Sequence, residues 1–426
     1  MKEDLVKNRW MKNPFLEEAS YKKSFFWNMM GSGLNAFASL VMLMATTRIA
    51  GEIQGGIFSI GFAIASLMWS LASYETNTFH VTDGKHEFSN ENFLHVKLLL
   101  CIVTVGVSVV YILFQQYDSY KSCVAFLLCM YKIIDAFSGL FYGLFQKSMR
   151  LDISGRSYFL RVFLSIIGFC ITLWITKDLV WAVLAACILE VLWIAIYEIP
   201  LSKFVINYRM RVEWKKIGSI LIKCFPLFCA SFLLMYVNNI PKYTIDNVLN
   251  EQMQNAFGII FMPASIINLM GIFVFRPLLM TLVRSWNENK INRIVSILLK
   301  CIFLVVVITA VCAIGAFWIG IPVLQLIYGV ELTAYKTALV IIMIAGGSNA
   351  AISFLYNVLV VTRKQVLILV AYIPAVIIAL MIAEELVTKY ALVGAAIVYF
   401  VSVNVIVIIL FIMVMVILKS RKRMIT

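Results

Sequence analysis

Leu179-Val-Trp-Ala-Val-Leu-Ala-Ala-Cys-Ile-Leu-Glu-Val-Leu-Trp-Ile-Ala-Ile-Tyr-Glu-Ile199 is an apolar run of the length that one helix needs to cross a bilayer core, roughly 20 residues. A single lysine, Lys177, precedes it, and a polar stretch with Lys203, Arg209, Arg211, Lys215 and Lys216 follows. Runs of this kind recur from Phe25 to Leu418, and the loops between them alternate in the same way, nearly free of positive charge and then basic. Helices are the element this pattern requires, because a lone crossing in lipid must satisfy its own backbone hydrogen bonds. With 62% hydrophobic residues and a mean hydropathy of +0.93, no water-soluble domain is hidden among the runs. The reading is an all-α integral membrane protein of about twelve transmembrane helices.

The crossings fall near 25–47, 56–76, 96–114, 122–145, 158–176, 179–199, 217–240, 256–283, 297–320, 336–361, 365–383 and 391–418. Taking the N-terminus as cytoplasmic, the inner segments (1–24, 77–97, 146–161, 200–216, 284–300, 362–364 and 419–426) hold 27 of the 36 basic residues. The opposite loops hold Arg48, Lys121, Lys177, Lys242, Lys336 and Lys389, and Lys132, Lys223 and Arg276 lie within helices. The positive-inside rule then places both termini in the cytoplasm. The same bias accounts for the net charge of +14, so nucleic acid is not an expected partner. The basic tail of Lys419, Arg421, Lys422 and Arg423 reads as a contact with anionic lipid. Residues 1–23 are charged and mixed in sign, unlike a cleavable signal. The nine cysteines show neither C-x-x-C pairs nor a neighbouring histidine cluster, so no metal, cofactor or disulfide framework is expected. His80, His86 and His95, on or near one inner loop, read as solvated.

The basic linker 201–216 follows the sixth crossing and divides the chain into a cytoplasmic segment 1–24, a six-helix bundle 25–200, a second bundle 217–418 and the tail 419–426. Six helices per half make the two halves parallel repeats, an arrangement found among transporters. Gln54-Gly-Gly-Ile-Phe-Ser-Ile60 and Gln254-Asn-Ala-Phe-Gly-Ile-Ile260 hold the same place in the two halves. No loop is large enough for a catalytic domain, and no G-x-x-x-x-G-K-[ST] phosphate loop is present, so neither an enzyme nor an ATPase is expected.

Charges inside the crossings carry the functional information, because each costs on the order of 3 kcal/mol to insert at a helix centre. Lys132 and Asp135 share a face of the fourth crossing and can pair with each other or line a cavity. Glu190 has no opposite charge within one turn, so it needs an interhelical partner, with Lys132 a candidate, or a proton. Arg276 precedes Pro277, which should loosen the eighth crossing and let the guanidinium reach a cavity or the headgroups. Pro226 and Pro374 mark two further places where a helix can bend. Near the outer ends, Arg48 has Glu52 four residues on and Lys242 has Asp246 four residues on.

Several stretches resemble the polysaccharide flippases of the multidrug/oligosaccharidyl-lipid/polysaccharide (MOP) exporter superfamily, which are MATE-like in having two six-helix bundles. They are Thr47-Arg-Ile-Ala-Gly-Glu-Ile-Gln-Gly-Gly-Ile-Phe-Ser-Ile60, Gly143-Leu-Phe-Gln-Lys-Ser-Met-Arg-Leu-Asp-Ile-Ser-Gly-Arg-Ser157, and the succession of Asn238-Asn-Ile-Pro-Lys-Tyr-Thr-Ile-Asp246, Gln254-Asn-Ala-Phe-Gly-Ile-Ile-Phe-Met-Pro263 and Phe275-Arg-Pro-Leu-Leu279. The likeness runs from about Tyr21 to Lys419 and is similar to flippases from capsular and exopolysaccharide clusters of Gram-positive bacteria. It implies export of a polyprenyl-diphosphate-linked oligosaccharide repeat unit across the cytoplasmic membrane, beside glycosyltransferases and a polysaccharide polymerase; a monomer is expected because each half supplies one wall of the cavity. Arg276, Arg48, Lys242 and Lys132 are then the available cations for the diphosphate, and Asp135, Glu190 and Asp246 the candidate coupling or gating carboxylates. Many such flippases carry a basic residue deeper on the first helix; none stands here between Ser24 and Thr47. The competing reading is a MATE-type cation-coupled antiporter of drugs or other small molecules, which would want an acidic cavity. Twelve crossings rather than fourteen argue against a peptidoglycan-precursor flippase.

Overall fold

The computed structural model describes residues 15, 20–83, 87–208, 211–362 and 364–425, without the side chains of 21, 268–277, 279, 280, 365, 424 and 425. The helices are α1 (Tyr21–Ala50), α2 (Glu52–Ser73), α3 (Thr76–Thr82), α4 (Asn90–Gln115), α5 (Ser119–Lys147), α6 (Leu151–Thr176), α7 (Leu179–Trp193), α8 (Ile199–Ser202), α9 (Trp214–Val248), α10 (Glu251–Asn287), α11 (Ile291–Gly315), α12 (Ile321–Tyr328), α13 (Lys336–Val361) and α14 (Ile368–Ile425). Ten stretches of the described residues are long and apolar enough to cross a membrane. The longest, in α14, is interrupted at Ala391, where φ is 45°, so it supplies two crossings. The 37 residues of α10 complete the expected twelve.

The helices outrun their apolar cores because polar residues cap them in the interfacial layer. Asp118, Asp178 and Asn250 accept the first free N–H groups of α5, α7 and α10. One expected outer loop is instead helical. Beyond α11 the chain continues through a π turn, Ala316–Gly320, into α12. A second π turn, Ile194–Glu198, joins α7 to α8. Each π turn stands directly before an Ile-Pro pair, Ile199-Pro200 and Ile321-Pro322. Proline cannot donate to the preceding turn, and looser winding there absorbs the missing bond without ending the crossing.

The chain forms two compact units, Met1–Met42 with Leu71–Cys224, and Leu43–Ser70 with Phe225–Thr426. In the first, α5 packs against α3, α4, α6 and α7. Phe88, Phe93, Leu140, Phe141, Phe145 and Ile220 form its apolar core. His80, expected in water, is buried there. It stacks on Phe93 at 4.1 Å and its Nε2 lies 2.9 Å from Asn90 Oδ1, because α3 folds back onto α5. Lys97, expected in the same inner loop, is fully buried and donates to the carbonyls of Ala72 and Ser73, closing the C-terminal end of α2.

In the second unit α13 packs against α10, α11 and α14. The two stretches matched in the sequence lie directly against each other. Thr47 Oγ1 donates to Asn255 Oδ1 at 2.9 Å. A Cβ on Gly55 would strike the Asn255 side chain, one on Gly56 the Glu251 carbonyl, and one on Gly258 the Ser59 hydroxyl. Small residues therefore let the start of α2 approach the start of α10 closely, as van der Waals association in lipid favours.

Candidate functional site

In the first unit the charges expected inside crossings converge. Tyr131, Asp135 and Ser138 stand at helical spacing on one face of α5, and Ser157, Arg161 and Ser165 on one face of α6. Arg161 Nη2 lies 2.5 Å from Asp135 Oδ1, and Nη1 lies 2.8 Å from Glu190 Oε2 on α7. Below them the Glu198 carboxyl accepts from Ser138 Oγ at 2.8 and 2.9 Å and from Ser157 Oγ at 2.8 Å, while Trp193 Nε1 donates to Ser157 Oγ at 3.0 Å. The π turn matters here: it winds through an extra residue, which brings Glu198 round towards the face that carries Glu190.

The interhelical partner that Glu190 requires is thus Arg161. Arg161 falls in the basic inner segment 146–161 when charges are grouped by loop, but α6 begins at Leu151 and carries it ten residues in, 1% exposed. The signal that could have found it is the four-residue spacing of Ser157, Arg161 and Ser165, a polar stripe with no place on a lipid face. Lys132 is half-buried on α5, its ammonium 5.7 Å from the Tyr131 ring. One guanidinium among three buried carboxyls leaves an excess of negative groups in an apolar interior. Such a set can take up and release a proton.

The second unit presents the opposite situation. Lys242 on α9 is 8% exposed, and its ammonium lies 5.0 Å from the centroid of the Phe261 ring on α10. Among the described residues it has no ion pair or hydrogen bond. Asp246, four residues on, is not its partner, contrary to the local pairing that the sequence suggested. Phe261 is backed by Tyr399 at 4.9 Å, and Tyr243 stacks obliquely on Tyr236 at 5.8 Å. Several other buried polar atoms of this unit also lack a hydrogen-bond partner: Asn238 Oδ1, both side-chain atoms of Gln254, Asn255 Nδ2 and the Tyr328 hydroxyl. A desolvated cation–π contact returns about 2 kcal/mol, less than the several kcal/mol that removing an ammonium from water costs. The surroundings of Lys242 therefore favour an anion beside an aromatic wall.

Arg48 has a different occupation from the one expected. It is exposed, does not pair with Glu52 among the described residues, and donates through Nε to Ile327 O at 2.6 Å and through Nη2 to Leu326 O. It closes the C-terminal end of α12, where carbonyls lack helical partners and a cation suits the dipole. Arg276 and Pro277 lie in α10, but their side chains fall outside the described residues. The helix α9 runs through Pro226 and Pro241 without a break, and Pro374 lies inside α14.

No family model matches the chain. Among solved structures it is similar to a multidrug resistance MATE family transporter of the MOP superfamily, with a TM-score of 0.69 over 95% of this chain and 99% of that one, at 13% identity. It has the MATE transporter fold. A Vibrio cholerae MATE transporter, VcmN, aligns with a TM-score of 0.57 over 94% of this chain and 97% of its own length, also at 13% identity. In sequence the MATE-like chain is 23% identical over 393 residues to the capsular polysaccharide biosynthesis protein CapF of Staphylococcus aureus, covering 89% of this chain and 96% of the relative. The likeness to MOP-superfamily proteins read from the sequence thus holds at the level of the fold, and the chain is a multi-pass membrane protein.

Proposed function

We propose that this MATE-like protein flips a polyprenyl-diphosphate-linked oligosaccharide repeat unit across the cytoplasmic membrane for capsular or exopolysaccharide assembly. The observation that carries the reading is Lys242, a buried cation without an anionic partner among the described residues, set against Phe261 and Tyr399. A diphosphate supplies the missing charge through charge-assisted hydrogen bonds. Sugar rings present apolar faces that aromatic side chains cover, and orphaned amides such as Gln254 and Asn238 suit hydroxyl groups. The role of CapF in capsular polysaccharide biosynthesis supports the same substrate class. A headgroup of this kind cannot cross hydrocarbon unaided, because its charges and hydroxyls would lose their hydration. In this reading both termini are cytoplasmic, Arg276 and Lys132 remain further candidate cations, and Asp135, Glu190 and Asp246 serve coupling or gating.

A second reading, a cation-coupled MATE-type antiporter, draws on the Arg161 cluster, where carboxyls outnumber the guanidinium three to one. The two separate in cells. Expressed in a capsule-forming strain that lacks its own flippase, the protein should restore surface polysaccharide and clear the accumulated lipid-linked repeat unit. Restored efflux of cationic drugs in an exporter-deficient strain, with no effect on polysaccharide, would favour the antiporter instead.

A further inference from the structure

Apart from the two buried sites, the first unit holds a cavity of about 420 Å³ lined by Lys23 and Trp27 of α1, Arg150, Asp152 and Arg156 at the start of α6, and Tyr197 of the π turn. Its charges are unevenly committed. Arg150 grips Asp152 with two parallel bonds, Nε to Oδ1 at 2.8 Å and Nη2 to Oδ2 at 2.9 Å, so these two neutralise each other. Arg156 has no carboxylate among the described residues, only the Trp27 ring 6.0 Å from its guanidinium carbon. Lys23 also has no ion pair among the described residues. The cavity therefore carries two exposed cations without an ion pair among the described residues, beside two amphipathic rings. Tyr197 is held in place by stacking on Trp193 at 4.9 Å.

The position of the cavity narrows the ligand. It lies where α1 and α6 leave their apolar stretches, at the depth where tryptophan and tyrosine sit among headgroups. Its volume falls in the range of small-molecule sites rather than of surface dimples. Phe25, Phe26, Met29 and Met30, on the same part of α1, are exposed and apolar, a surface for hydrocarbon chains. A free water-borne anion has no use for such a surface; a lipid has.

We propose that this cavity binds the anionic phosphate headgroup of a lipid, with Arg156 and Lys23 contacting the phosphate and Trp27 and Tyr197 flanking it. Two lipids share this chemistry, an anionic membrane phospholipid and a polyprenyl phosphate carrier. The site does not depend on what the protein transports, because it uses none of the residues of the Arg161 cluster or the surroundings of Lys242.

The test uses the full-length protein in phosphatidylcholine nanodiscs, with phosphatidylglycerol or polyprenyl phosphate added and bound lipid counted by native mass spectrometry. Wild type should retain one anionic lipid. Lys23→Gln combined with Arg156→Gln should weaken that retention at least about tenfold, the loss of roughly 1.4 kcal/mol, while Lys203→Gln, a basic residue nearby that does not line the cavity, should not. Arg156→Lys should fall between, keeping charge and losing the fork, which also guards against a variant that merely misfolds. Equal retention of both lipids would assign the site to bulk phospholipid, and preference for polyprenyl phosphate would assign it to the carrier; either supports a headgroup site. Retention unchanged in the double variant, or lost equally in Lys203→Gln, would overturn it.

Discussion

Arg161 and Lys242 are both basic residues buried in membrane-spanning helices, and they meet that predicament in opposite ways. Arg161 is held by carboxylates on two neighbouring helices, at 2.5 and 2.8 Å, beside a second set in which Glu198 accepts from Ser138 and Ser157 and Trp193 donates to Ser157. Lys242 has an aromatic ring 5.0 Å away and no anion among the described residues. A buried charge removed from between its counter-charges leaves them stranded; a buried charge with no counter-charge leaves none stranded. The first arrangement ties helices together, and the second leaves affinity for something that arrives from outside.

That contrast orders the expected effects. Arg161→Ala should be the most damaging change, because it leaves Asp135 and Glu190 facing each other without a cation. Breaking a buried pair in this way costs about 3–5 kcal/mol, read as lost folded yield and a lower unfolding midpoint in detergent. Converting all three at once, Arg161→Met with Asp135→Asn and Glu190→Gln, should recover most of that stability, and failure to recover it would show that the network is not what ties these helices. Ser157→Ala should follow at about 1–3 kcal/mol, since Glu198 and Trp193 each lose a buried hydrogen-bond partner. An unchanged unfolding midpoint would place Glu198 in contact with water.

Much of this was legible in the sequence and some of it was not. The twelve crossings could be read because hydropathy and loop charge act over twenty residues at a time and tolerate local error. Glu190 could be recognised as needing a partner, since a lone carboxyl in an apolar run is costly wherever the helix points. Its partner could not be read, because counting basic residues by loop pools Arg161 with residues that meet water, and only the early start of α6 separates them. Lys97 was pooled in the same way and in fact closes α2. The spacing of four between Arg48 and Glu52 suggested a local ion pair, but the end of α12, about 280 residues away in the chain, offers two unpartnered carbonyls instead. Spacing along one helix says which residues can meet; it does not rank them against a partner from another.

The smallest effect expected is at Arg48. Its exposed contact with the end of α12 is of the kind worth about 1 kcal/mol or less, so Arg48→Ala should lower stability slightly and export little. Arg48 and Lys242 share no partner among the described residues, so their combined loss should be additive in free energy within about 0.5 kcal/mol. A double variant far worse than the sum, measured as surface polysaccharide at matched protein levels, would show instead that the two cations act as one site.

The central claim, that Lys242 is unmatched among the described residues because its counter-charge is the substrate, rests most directly on one variant measured twice. Lys242→Met keeps an unbranched side chain, one atom shorter, and removes the charge. Its unfolding midpoint in detergent and its export of lipid-linked repeat units should be determined on the same protein. The account predicts a midpoint equal to wild type or higher, since an apolar group replaces an uncompensated ion, together with export reduced at least about tenfold. Full export, or a loss of stability comparable to that of Arg161→Ala, would contradict it.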